Sequence, residues 1–211
     1  GEGRNGIKSA TAFAHLGGDA GASGSWRLGL SHLRADANRR LSGDEDTGTS
    51  FDGKSDLTIL DGVYKWVPNG NASITNAVFQ AEYFFRREHG DLLFDPDGSA
   101  EASRYDGDQQ GFYVQGVYQF MPRWRVGLRY DRLMTDNRLG NPAPGTALGL
   151  LAEDGGDDPQ RWSAMVDFSN SEFSRFRLQF SRDASRPDDE LDEQIFLRYI
   201  FSLGAHPAHQ F

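Results

Sequence analysis

Five arginines lie on the polar side of an alternating apolar and polar pattern: Arg125 and Arg129, Arg175 and Arg177, and Arg198. Asp131 and Asp167 share that side. Guanidinium is the group for forked recognition of carboxylate or phosphate. A row of such charges along a passage would set its selectivity. The same residues also support a plainer outcome, an internal Arg–Asp network that fills and stiffens a barrel. A second candidate is the pair His206 and His209 in the tail AHPAHQF. Two imidazoles three apart suit zinc or another transition metal, although no Cys and no carboxylate at ligand spacing completes the set. His15, His32 and His89 stand singly. The acidic runs Asp44-Glu45-Asp46, Glu153-Asp154 with Asp157-Asp158, and Asp188-Asp189-Glu190 with Asp192-Glu193 are oxygen-rich enough for calcium or magnesium. None has EF-hand spacing, and solvation is the simpler reading of them. No Gly-x-Ser-x-Gly elbow, HExxH or P-loop occurs, so no catalytic residue is assigned and an enzyme is not expected.

What positions these residues is alternation with period two, the mark of strands with one apolar face. Nine strands are predicted, near 6–17, 24–36, 57–67, 72–87, 110–120, 123–134, 161–169, 174–182 and 193–204. The clearest place Trp124, Val126, Leu128 and Tyr130 against Arg125, Arg129 and Asp131. Tight turns are expected at 68–70, 121–123 and 170–172. Long connections are expected at 37–56, 88–109 and 135–160, with a shorter one at 183–192. No helix of any length is expected.

Composition bounds the answer. The chain has 211 residues, no Cys, 22 Lys+Arg against 31 Asp+Glu, and a net charge of −9. A disulfide framework is excluded, and so acidic a chain is not expected to partner nucleic acid. No transmembrane helix is present, but alternation suits either a soluble sandwich or a membrane barrel. Three features favour the barrel. Trp26, Trp66, Trp124, Trp162 and Tyr199 are apolar-face aromatics of the kind that mark a membrane interface. Short and long connections alternate. Strands of about 9–13 residues can cross a bilayer. On the polar faces Arg27, Lys65, Arg86, Arg125, Arg129, Arg161, Arg175, Arg177 and Arg198 outnumber Asp61, Glu82, Asp131 and Asp167. These features together predict an all-β, antiparallel up-and-down transmembrane barrel with a basic lumen and acidic loops.

The stretches FMPRWRVGLRYDRL (120–133), DFSNSEFSRFRLQFSRD (167–183) and QIFLRYIFSLGAHPAHQF (194–211) resemble the closing half of a family of Gram-negative outer-membrane proteins. These are porin-like or TonB-dependent-receptor-like, some of them zinc-regulated. The resemblance implies an outer-membrane location and contact with lipid and lipopolysaccharide. It implies Phe211 as an insertion signal for the barrel-insertion machinery, and TonB as a partner if a plug domain lies upstream. It implies no cofactor, with zinc as substrate or ligand. It also suggests uptake of small solutes or metal ions, against the alternative of a non-conducting structural or adhesive barrel. An odd strand count starting on the extracellular side implies that residues 1–211 are the C-terminal portion of one barrel, with further strands upstream.

Overall fold

The computed structural model describes residues 9–42, 48–94, 101–140, 142, 158–185 and 191–202. They form nine strands: β1 Ser9–Ala20, β2 Gly24–Ser42, β3 Thr49–Trp66, β4 Asn76–Phe94, β5 Glu101–Met121, β6 Trp124–Gly140, β7 Gln160–Ser171, β8 Ser174–Ala184 and β9 Asp192–Phe201. All are antiparallel neighbours in chain order in one sheet. No pairing joins β1 to β9 among the described residues, so the all-β, up-and-down expectation holds and the sheet is open.

Each strand sorts its residues by parity, because successive side chains point to opposite faces. Leu28 (57% exposed), Leu128 (64%) and Leu178 (51%) stand on one face with Trp66, Phe79 and Trp162. The other face carries the buried groups Glu88, Asp167, Ser181 and Asp183. Only Phe51 and Ala77 are buried hydrophobics among the described residues. The sheet therefore reverses the usual arrangement, in which apolar side chains are hidden and charges face water.

The apolar face is a band with a sharp limit. On β4 it runs through Ala77, Phe79, Ala81, Tyr83 and Phe85, then gives way to Arg87, His89 and Asp91. On β6 it runs from Trp124 to Tyr130, then gives way to Arg132, Asp136 and Arg138. Trp26, Trp66 and Trp124 stand toward the tight-turn end of the band, Trp66 and Trp124 at strand termini. Trp162 stands at the opposite end of β7's band, its ring 4.5 Å from that of Tyr130. Tyr199 is on the same face of β9, 4.7 Å from Phe176.

The strands outrun the expected lengths, and much of the chain read as long connection is ladder. β4 has 19 residues and β5 has 21. Beyond the band polar residues occupy both faces, with apolar exceptions such as Phe51, Leu92 and Leu93, so the period-two apolar signal disappears while backbone pairing continues. Charged pairs across the ladder replace apolar ones there, such as Arg87 with Asp108 at 3.0 Å. The turn expected at 68–70 is also longer, spanning 67–75. Within it the Asn71 side chain accepts a hydrogen bond from the Ser73 N–H at 2.9 Å. The other turns on this edge are tight, at 21–23, 122–123 and 172–173. The alternation of short and long connections is thus less strict than expected.

One irregularity matters for the site. Between Ala37 and Arg40, β2 places two residues opposite Asp52 alone, with Arg39 at φ 49°. Such a bulge reverses which parity faces which side. Odd residues of β2 share the polar face before it; Arg40 shares that face after it, opposite Phe51. A second non-glycine, Arg123, holds φ 72° in the turn after Pro122. That backbone region disfavours a Cβ. Arg123→Gly is expected to raise stability to urea by up to about 1 kcal/mol, read as a higher unfolding midpoint.

Candidate functional site

Register builds the arginine cluster. Arg125 on β6 lies opposite Asp167 on β7, Asp167 opposite Arg177 on β8, and Arg177 opposite Arg198 on β9. Directly opposed residues in a ladder bring their Cβ atoms within about 5 Å. One buried carboxylate, Asp167 at 0% exposure, therefore collects three guanidiniums. Arg177 engages it with two nitrogens, Nε to Oδ1 at 2.7 Å and Nη2 to Oδ2 at 2.9 Å. Arg125 donates to Oδ2 at 3.2 Å and Arg175 to the same oxygen at 3.4 Å. Arg198 sets its guanidinium 5.0 Å from the centre of the Phe196 ring.

Arg129 and Asp131 form a separate unit on β6. Arg129 donates from Nη2 to Asp131 Oδ1 at 2.6 Å and from Nε to both carboxylate oxygens at 2.9 Å. Its guanidinium lies 3.7 Å from the centre of the Tyr113 ring. It also donates to Gln115, which donates to Gln80, which donates to the Tyr113 hydroxyl. Every expected lumen residue is therefore on one face, but in two groups. Arg129 has its own acid, whereas Arg125, Arg175 and Arg177 share one.

A third cluster lies where the sequence suggested loops. Glu88, 2% exposed, accepts from Arg40 Nη1 at 2.6 Å and Nη2 at 3.0 Å, and from Arg86 Nη2 at 2.6 Å. The Arg40 guanidinium stands 4.7 Å from the centre of the Phe51 ring, and Phe51 meets Tyr105 edge-on. Alternation places Arg86 on this face, but the bulge that turns Arg40 toward it leaves no apolar signature. Arg161 pairs with buried Asp183. These longer strands bring Asp19, Glu88, Asp183 and Asp192 to the polar face. These acids offset much of the basic excess expected over the whole face, and what remains is densest at its tight-turn end, where Asp167 is shared by three arginines.

The single histidines take ordinary partners. His15 is 3.5 Å from Asp61, His32 bonds the Thr58 hydroxyl at 2.9 Å, and His89 is 3.4 Å from Asp106. No group of three or more His, Cys, Asp or Glu is placed to hold a metal among the described residues. His206, His209 and Phe211 lie outside the described residues, as do Asp44-Glu45-Asp46, Glu153-Asp154 and Asp188-Asp189-Glu190.

No family model matches the chain. An uncharacterized protein of Aquifex aeolicus (strain VF5) is 31% identical over 172 residues, covering 80% of this chain and 33% of the relative. The chain thus spans about a third of the length of the curated relative it matches. No solved structure matches.

Burial pushes the Glu88 carboxyl up, but hydrogen bonds from Arg40 and Ser55 and the charges of Arg86 and Arg40 outweigh it. The group sits below the ordinary glutamate value. A carboxyl with a lowered folded pKa binds protons more readily when unfolded. Its stabilisation is full above the unfolded value and is lost as pH falls through the lowered folded one. Glu88→Gln is expected to lower the urea midpoint at pH 7 and to flatten its decline in acid. Asp167→Asn leaves three guanidiniums facing one another and is expected to cost about 3–5 kcal/mol. Equilibrium unfolding of the two proteins side by side measures it.

Proposed function

We propose that this chain is part of an outer-membrane β-barrel transport protein of a Gram-negative bacterium, admitting small solutes or metal ions through an arginine-lined lumen. One observation carries the reading: the exposed face is apolar and the charged face is the one with buried groups. Lipid against the first and a water-filled passage against the second satisfy both. The outward aromatics Trp26, Trp66, Trp124, Trp162 and Tyr199 suit membrane interfaces. The charged strand ends beyond the band would project into solvent above the bilayer. Further strands must pair with β1 and β9, because an open edge in hydrocarbon leaves N–H and C=O groups unbonded. Lipopolysaccharide, the barrel-insertion machinery acting on Phe211, and TonB if a plug accompanies the barrel are the partners this reading entails. Zinc held by His206 and His209 is its metal variant.

The saturated contacts of Asp131, Asp167 and Glu88 favour a second reading, a non-conducting structural or adhesive barrel stiffened from within. A soluble binder has one observation behind it, a hollow of about 1110 Å³ on the apolar face between Trp26 and Trp162.

Leu178 lies mid-band on β8, outside that hollow. Leu178→Arg is expected to cost about 2–4 kcal/mol for folding into lipid vesicles. A change within about 0.5 kcal/mol, normal for a water-facing site, would sink the membrane reading. Stepwise conductance in planar bilayers is expected of a pore. Folded, inserted protein without conductance would favour the structural barrel.

A further inference from the structure

Resting on the pore reading, we propose that the tight-turn end of the polar face is a binding site for small oxyanions, with Arg125, Arg175 and Arg198 as donors and the Asp167–Arg177 pair as its rigid base. Arg177 spends its fork on Asp167. Arg125 and Arg175 each reach Asp167 with one terminal nitrogen, and both target the same oxygen. A guanidinium has five N–H donors, so most of theirs are not used on this carboxylate. Their side chains keep 28% and 31% exposure. Arg198 faces Arg177 across the ladder and has no carboxylate partner among the described residues. Three cations thus contact one anion, with a fourth, Arg198, opposite Arg177, and a second anion would relieve their mutual repulsion.

There is room for it. A hollow of about 820 Å³ opens beside Arg123, Arg125 and Arg175, with Gln119, Ser171 and Ser174 among its polar lining; Arg198 stands at its margin, two residues before the lining Ile200 on the same face of β9. Glu172 also lines it, which opposes a ligand spread along the turns and favours one seated against the arginines. Forked donors match the paired oxygens of phosphate or carboxylate better than a spherical halide. Elsewhere on the face the ratio is lower: Arg129 and Arg161 each have an acid of their own, and Arg40 and Arg86 share Glu88. The excess is therefore greatest at this end.

The test uses inorganic phosphate as probe on the full-length protein. Isothermal titration should show binding, and reversal potentials in a KCl gradient should show chloride preference. Arg175→Gln and Arg198→Gln should each weaken phosphate by about tenfold or more and shift the reversal potential toward cations. Arg198→Gln leaves no buried carboxylate stranded, so its fold is retained. Arg138→Gln, whose partner is Asp136 beyond the band, should change neither. A merely structural cluster would leave phosphate affinity unmoved in folded variants, and that result overturns the site. Phosphate binding without conductance keeps the site and removes the pore. Conductance without phosphate binding keeps the pore and removes the site.

Discussion

A strand offers each side chain only two directions, and the whole molecule depends on keeping them apart. In register, Leu128 and Leu178 join the apolar face while Arg129 and Arg177 join the charged one. A slip of one residue would exchange them, putting guanidiniums on the apolar side and leucines against Asp167. Register is strongly specified because both faces have a firm requirement. The ladder also assembles the charges: Arg125, Asp167, Arg177 and Arg198 meet because β6 to β9 present them at one level.

Stability at that level comes from an uneven division of charge. Taking a carboxylate out of water is costly unless bonds replace its hydration. Asp167 receives enough donors to satisfy it, but its three guanidiniums then repel one another. Arg129 avoids this conflict by pairing with Asp131 and resting on Tyr113. The two solutions lie on the same strand two turns of the pleat apart. One is electrically closed and rigid; the other keeps positive charge in reserve.

The strands through the band were legible in the sequence because parity there is doubly marked, by Trp, Phe and Leu on one side and by Arg, Asp and Gln on the other. All thirteen charged residues expected on the polar side share one face. What lay beyond the band was not legible. Thr49–Lys54 and Glu88–Asp91 carry polar residues on both faces, so nothing in their composition distinguishes ladder from loop. Only cross-strand partners distant in sequence, such as Arg40 with Glu88, make them strands. The turn at 67–75 is longer than its sequence suggests for a related reason. Pro68 and Asn69-Gly70 signal a reversal, but the chain extends it through Asn71, whose side chain organises the next residues.

The bulge between Ala37 and Arg40 has a consequence for how such a chain can change length. Inserting or deleting a single residue within the band would invert every position beyond it. At the bulge the phase is already reset, and only the segment from Arg40 to Ser42 follows it. Length variation there would exchange the residue facing Glu88 and leave Trp26, Leu28 and Leu30 where they are. Strand ends beyond the band can thus drift in length over evolutionary time, altering the rim of the sheet, while the part that carries the apolar face stays in phase.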